Sequence, residues 1–166
     1  QVEISASSAS VGARLLCGIT SPSASIEAIC DHLLPLADVA TPNINELRDL
    51  SADGSIEAAR KMGARSVVVT SAIQETEKIG AWVVTPDGCD EIKHPRIAEP
   101  ARGTGDFFSA VLASALLDDP ANVTAAARTA AAATYGVVAG SGSVALDLPA
   151  NQAAIVSPDL SLVIGG

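Results

Sequence analysis

Ser66-Val67-Val68-Val69-Thr70 decides the fold. Its three valines put apolar side chains on both faces of an extended segment, as a parallel strand covered by helices on both sides requires. Upstream, Asp38-Val39-Ala40-Thr41 reads as a second short strand, stopped by Pro42. Between the two, Asn43 to Leu50 can form a short helix. Ile56, Ala59 and Met62 mark another amphipathic helix, closed by Gly63 just past its end. Strand, helix and strand at this spacing make a βαβ unit with a right-handed crossover.

Toward the N-terminus, Ile26, Ile29, Cys30, Leu33 and Leu34 recur at i, i+3, i+4, i+7 and i+8, one face of a helix. Glu27, Asp31 and His32 fall opposite, Ser23 suits the N-cap, and Pro35 ends the helix. Cys30 reads as a small core residue and His32 as a solvated one. Residues 1–22 are dominated by Ser and Ala; they read as irregular, with room for one strand at Leu15-Leu16-Cys17. Toward the C-terminus, Ala81–Thr85 and Cys89–Ile92 flank Pro86-Asp87-Gly88, a hairpin signal that predicts antiparallel strands at one edge of a mostly parallel sheet. The loop Ala101-Arg102-Gly103-Thr104-Gly105 precedes a helix from Asp106 to about Leu117. Asp119-Pro120 starts a further helix as N-cap and first residue. The Ala-rich run from Ala125 to Ala133 suits close packing on the sheet.

The 166 residues suffice for one domain and are short for two. A chain of this size buries roughly 68–70% of its unfolded surface, so it needs no disulfide or metal to hold a core. With 48% hydrophobic and 17% charged residues it is not a disordered acidic tail. Ten Lys and Arg against nineteen Asp and Glu leave a net charge of −9, which argues against a nucleic-acid or anionic-membrane surface but not against a small local phosphate site. Trp82, Tyr135, Phe107 and Phe108 are too few for a base-stacking platform. Cys17, Cys30 and Cys89 show no C-x-x-C spacing, and His32 and His94 are the only histidines, so a zinc site is unsupported and the thiols read as reduced. No basic stretch followed by an apolar run opens the chain, and Thr129–Leu146 is interrupted by Gly136, Gly140 and Gly142. A cytoplasmic protein is the expectation.

The chemistry is concentrated in Gly103-Thr104-Gly105-Asp106. Two glycines let backbone N–H groups approach an anion, and the following helix points its positive end at the same place. Asp106 there either only favours the helix terminus or accepts a proton from an attacking hydroxyl. In open α/β sheets, ligands bind beyond the carboxyl ends of the parallel strands. Thr70-Ser71 follows one such strand, and Asn43 with Glu46 follows another. An Asn and a Glu three apart could hold a hydrated Mg²⁺ at a phosphate, or could simply cap the helix they open.

Thr41-Pro42-Asn43 with Glu46, then Val69-Thr70-Ser71, then Gly103-Thr104-Gly105-Asp106 together resemble the ribokinase-like superfamily of small-molecule kinases. Asp31-His32-Leu33-Leu34-Pro35-Leu36-Ala37-Asp38 and Ala150-Asn151-Gln152 are similar to its pyridoxal kinase subfamily. The resemblance runs from about residue 23 to residue 158. It implies a three-layer α/β/α fold with ATP and Mg²⁺ as cosubstrate and metal, and a small-molecule acceptor. The reaction implied is phosphorylation of the 5′-hydroxymethyl group of pyridoxal, and of pyridoxine and pyridoxamine, in vitamin B6 salvage. It implies Asp106 as the base, the amides of Gly103, Thr104 and Gly105 as the anion hole, Asn43 and Glu46 as organisers of Mg²⁺ and phosphate, and Thr70 and Ser71 at the nucleotide. Phe107 and Phe108 would pack the helix against the sheet, and Trp82 would either pack or stack on the base.

Members of the superfamily are nearly twice as long, so residues 23–166 correspond to the C-terminal, nucleotide-side part of one domain. The N-terminal half, with its substrate contacts and the edge used for homodimers, has no counterpart. Arg102 stands where the subfamily more often has a small residue or His. Three readings stay open: a pyridoxal kinase, a hydroxymethylpyrimidine or sugar kinase of the same superfamily, and a non-catalytic nucleotide-binding fragment. Hydroxymethylpyrimidine kinases usually carry Lys-Gly-Gly where this chain has Thr70-Ser71.

Overall fold

A computed structural model of the chain describes residues 14–17, 23–51 and 53–165. Its centre is a five-stranded sheet in the order β1 (Leu15–Cys17), β2 (Val39–Thr41), β3 (Ser66–Gln74), β4 (Lys78–Thr85) and β5 (Gly88–Pro95). The β1–β2 and β2–β3 pairs are parallel and the β3–β4 and β4–β5 pairs antiparallel, so the sheet is mixed. The expected strand at Leu15 is present, at the sheet edge. The expected hairpin is present too, with Thr85 paired to Gly88 across a Pro86-Asp87 turn.

The valine triplet works as its composition demands. Val68 points into one core with Val39, Val83 and Ile92, beneath α4 (Thr104–Asp118) and α5 (Val123–Ala139). Val67 and Val69 point into the other, with Leu34, Ala40, Ile44, Leu47 and Ala59. That second face is covered by Ile29 and Leu34, just past α1 (Ser23–Ala28), and by α2 (Ile44–Ser51) and α3 (Ile56–Arg60). A last short helix, α6 (Gln152–Val156), packs on α5, where a Cβ on Gly136 would press against Ala154. The layers are therefore α/β/α. Among the described residues no helix is long and apolar enough to cross a membrane.

Several boundaries differ from the sequence reading. The first helix does not run straight to Pro35: after Ala28 it widens into a π-helical turn, Ile29–Leu33, and tightens into a 3₁₀ turn, Leu34–Leu36, that contains the proline. A proline has no N–H to give and is tolerated at the start of such a turn. Cys30 packs at the margin of the core and His32 is exposed, as expected. Cys30 and Cys89 are free thiols. The side chains of Cys17 and Ser23 lie outside the described residues.

Gly63 adopts the left-handed conformation at φ 95°, two positions after the α3 C-cap Lys61 rather than directly after it. Asp119 is the C-cap of α4 and not the N-cap of α5. Asn122 takes that role, its side chain accepting from Ala125 N–H at 3.1 Å. The Asp119 carboxylate instead accepts from Ala121 N–H at 3.3 Å, closing the turn between the two helices. Asn and Asp cap equally well. Asn122 wins because the residue after it, Val123, is buried and starts the stripe that continues through Ala126, Ala127 and Ala130.

Candidate active site

Helix α4 begins two residues earlier than expected. Gly103 is its N-cap with φ 88°, a left-handed conformation that a side chain would strain. Thr104 and Gly105 open the helix, which puts Asp106 in the first turn beside three N-terminal amides. A Cβ built on Gly103 or Gly105 would meet nothing within 4 Å, so the space in front of these amides is open. An exposed carboxylate and free helix N-terminal N–H groups thus share the first turn of α4.

The end of β2 is tied to this helix from below. Thr41 Oγ1 and Ser109 Oγ share a buried hydrogen bond of 3.0 Å. Past Pro42 the chain stays beside β3: Thr70 N–H donates to Pro42 O at 2.9 Å, and Asn43 forms a parallel bridge with Thr70. Asn43 then opens α2 through a reciprocal pair. Its Oδ1 accepts from Asn45 N–H at 2.9 Å and Glu46 N–H at 3.0 Å, while its own N–H donates to Glu46 Oε2 at 2.8 Å. Burial pushes the Glu46 carboxyl above the usual carboxylate range. The Asn43 N–H pulls it back, and the charges of Asp106 and Asp49 push it up again. Asn43, Glu46, Thr70 and Asp106, distant in sequence, are therefore neighbours. Arg102, just before the glycines, is exposed, and its backbone bridges to Ala145.

Thr70 and Ser71 lie inside β3 rather than after it. The β3–β4 register shifts between Val69 and Ile73, and Ser71 within that irregularity has φ 55°. Left-handed backbone at a residue with a side chain is uncommon and concentrates at functional positions.

Thr70, Ser71, Thr104 and Gly105 form one end of a cleft of about 190 Å³ that runs between the sheet and α5. The other end is lined by Ile79, His94, Ile97, Thr134, Tyr135 and Val138. A cavity of about 150 Å³ accepts a benzene-sized ring, so this one has room for a single aromatic ring system beside the helix N-terminus. His94 and Tyr135 stand with ring centroids 5.6 Å apart at 56°. Burial holds the His94 imidazole below its ordinary pKa, against a smaller opposite pull from the Pro95 carbonyl 2.9 Å from Nδ1.

Sequence reasoning missed this far end. The signal was available: Thr134, Tyr135 and Val138 continue the Ala127 and Ala131 stripe of α5 at helical spacing, and His94 follows Ile92 at strand spacing. Phe108 packs in the core as expected, while Phe107 lines an outer groove between α4 and α5. Trp82 packs against the opposite core and does not line the cleft.

Among the described residues no group of three or more His, Cys, Asp or Glu is placed to hold a metal ion on its own. The donor set still fits Mg²⁺, which is commonly bound through one or two carboxylates plus substrate phosphates. Glu46, with Asn43 beside it, offers a carboxylate of that kind. The ion pairs among the described residues join Arg14 to Asp38, Arg60 to Glu57, and Lys93 to Glu75 and Glu91, leaving both site carboxylates without a cationic partner.

Residues 19–147 match the phosphomethylpyrimidine kinase family. A pyridoxine/pyridoxal/pyridoxamine kinase of Bordetella bronchiseptica is 38% identical over 117 residues, covering 63% of this chain and 41% of that protein. A hydroxymethylpyrimidine/phosphomethylpyrimidine kinase of Haemophilus influenzae is 35% identical over 105 residues, covering 55% of this chain and 39% of that protein. Among solved structures, a pyridoxal kinase of Entamoeba histolytica superposes with a TM-score of 0.74 at 20% identity, over 88% of this chain and 57% of that one. A pyridoxal kinase of Staphylococcus aureus in complex with pyridoxal gives 0.72 at 20% identity, over 92% and 61%. The fold is therefore the ribokinase-like one of pyridoxal kinases. The chain spans about two fifths of the length of the curated relatives it matches. Because the family match extends over most of the sequence and through all three motifs, the chain belongs to the phosphomethylpyrimidine kinase family.

Proposed function

We propose that this chain is the nucleotide-side part of an ATP-dependent kinase that phosphorylates the 5′-hydroxymethyl group of pyridoxal, and of pyridoxine and pyridoxamine. Residues 23–166 are read as part of a single domain, cytoplasmic and homodimeric at full length. One observation carries the reading: the open N-terminus of α4, through Thr104 and Gly105, forms one end of a cleft whose other end suits a flat ring, with Asp106 next in the same first turn. A molecule with an anionic end and an aromatic end, such as a nucleotide, matches it. A Staphylococcus aureus neighbour of the same fold has been solved with AMP-PCP and pyridoxal together.

In this reading the amides of Gly103, Thr104 and Gly105 hold the transferring phosphoryl group, and catalysis is chiefly positioning and charge stabilisation. Asp106 takes the proton from the acceptor hydroxymethyl group as its oxygen attacks. Asn43 fixes the Glu46 carboxylate through the 2.8 Å bond from its N–H, leaving Oε1 free to face the phosphates. Mg²⁺, when bound by Glu46 and Asn43, directly or through water, neutralises phosphate charge. Thr70 and Ser71 line the nucleotide path.

A second reading, a hydroxymethylpyrimidine kinase, is favoured by Ser71: its φ of 55° is a conformation that suits the glycine such enzymes carry there. A full-length protein carrying this segment, assayed with Mg-ATP on pyridoxal, hydroxymethylpyrimidine and ribose, separates these. Fastest turnover on pyridoxal is expected; preference for the pyrimidine would replace the first reading with the second. Nucleotide binding with no phosphorylated product would instead leave a non-catalytic fragment.

A further inference from the structure

Thr134 is a polar residue in the wall of the cleft with nothing to bond. It is 9% exposed, and its Oγ1 is buried without a hydrogen-bond partner. A threonine inside a helix ordinarily gives its hydroxyl to the carbonyl one turn back. Thr129, on the same helix, does so, donating to Ala125 O at 3.1 Å. Thr134 does not.

The neighbouring wall is mostly apolar: Ile79, Ile92, Ile97, Phe108 and Val138. The polar side chains beside it are Tyr135 and His94; the ring nitrogens of His94 can be assigned. Its Nδ1 lies 2.9 Å from the Pro95 carbonyl, which assigns the proton to that nitrogen and leaves Nε2 as an acceptor. An apolar slot with one unpaired hydroxyl and one ring acceptor fits a flat heterocycle with apolar faces and a hydrogen-bonding edge. Rotation about the Cα–Cβ bond of Thr134 exchanges hydroxyl and methyl, and helical threonine populates two such rotamers.

We propose that Thr134 is the residue that selects the nucleobase, its hydroxyl pairing with the edge of the ring, with His94 accepting from an exocyclic amine. The inference rests on the reading of this cleft as the nucleotide site. It assigns the choice of base to Thr134 and His94, beside the Tyr135 ring, rather than to the apolar walls. A base that presents an amine to His94, as adenine does, is preferred over one that presents a carbonyl, as guanine does. Sites built to pair a polar edge discriminate against partners that leave their own groups unpaired.

The test is calorimetric titration of the full-length protein with ADP and with GDP, for the wild type, Thr134→Val and Thr134→Ser, alongside ligand-free melting temperatures. The wild type is expected to bind ADP at least about tenfold more tightly than GDP. Thr134→Val should weaken ADP about tenfold and flatten the ADP-to-GDP ratio, while melting no lower than the wild type, because a methyl replaces an unpaired hydroxyl. Thr134→Ser should retain most of the selectivity. A Thr134→Val protein that folds and keeps the wild-type ADP affinity and ratio overturns the inference and leaves the nucleotide site standing. A wild type that binds neither nucleotide overturns both.

Discussion

Asn43 and Glu46 hold each other at both ends: the N–H of Asn43 donates to Glu46 Oε2 at 2.8 Å, and Asn43 Oδ1 accepts from the N–H of Glu46 at 3.0 Å. The pair caps α2 and also presents a half-buried carboxylate to Asp106. The folded state raises the Glu46 pKa through burial first, and through Asp106 and Asp49 after that. The group therefore favours folding below the ordinary Glu range, and that contribution is lost as pH rises through the raised value. At neutral pH its charge is a net cost. Glu46→Gln keeps an oxygen for the Asn43 N–H and removes the charge. Its ligand-free melting temperature should exceed that of the wild type at pH 7, with the gap closing at pH 4. The Mg²⁺ concentration needed for turnover should rise by about 10–100-fold. Equal melting temperatures at pH 7 would show that the carboxylate is not destabilised.

Asp106 sits in the first turn of α4, beside the helix N-terminal amides and near the Glu46 carboxylate. Asp106→Asn in a full-length protein should reduce turnover by about 10²–10⁴-fold, the usual worth of a general base. Nucleotide affinity, measured by calorimetry, should persist, because the amides of Gly103, Thr104 and Gly105 are untouched. Near-normal turnover would remove Asp106 from the role of base.

Ser71 holds φ 55° inside a strand irregularity. Left-handed backbone costs a residue with a Cβ roughly 1–2 kcal/mol. Ser71→Gly should recover part of this, about 0.5–1 kcal/mol net of the added freedom of the unfolded chain, read from urea midpoints of the ligand-free protein. Ser71→Val should lose stability by a comparable or larger amount. A destabilised glycine variant would contradict the strain.

Arg128 on α5 donates from Nη1 to Gly165 O at 2.7 Å and from Nη2 to Val163 O at 3.4 Å. The C-terminal strap it clamps pairs with β5, Lys93 and Ile164 exchanging two N–H···O bonds of 2.9 Å. Arg128→Ala should release the strap, at about 1.5–3 kcal/mol for a charged hydrogen bond. Hydrogen exchange should quicken at the amides of Lys93 and Ile164 while those of Val68 and Val83 stay protected. Unchanged exchange at Ile164 would mean the buried side chain of Val163 holds the strap alone.

The parts of this fold that were legible in sequence are those where local chemistry and tertiary demand coincide. The valine triplet, the Pro42 stop, the Pro86-Asp87 turn and the glycines ahead of α4 each state their conformation within a few residues. Where two local signals competed, tertiary packing decided: Asp119 and Asn122 are both good caps, and only the burial of Val123 separates them. The β3–β4 hairpin and the strain at Ser71 had no local signature, because the register shift depends on both strands. In the candidate site, the glycine-rich end was readable because glycines and a carboxylate adjoin in sequence. The far end of the cleft was not, since His94 and Thr134 come from different elements and each alone looks like core.

The two margins of the sheet are treated differently. At β5 the strap through Ile164 occupies the outward backbone groups of Lys93, and a Cβ on Gly165 would collide with the Glu91 carbonyl, so the contact is close and tolerates little there. At β1 only three residues pair inward with β2, and among the described residues nothing pairs outward. Among the described residues the sheet is thus asymmetric, closed over in part at its β5 border and uncovered at its β1 border.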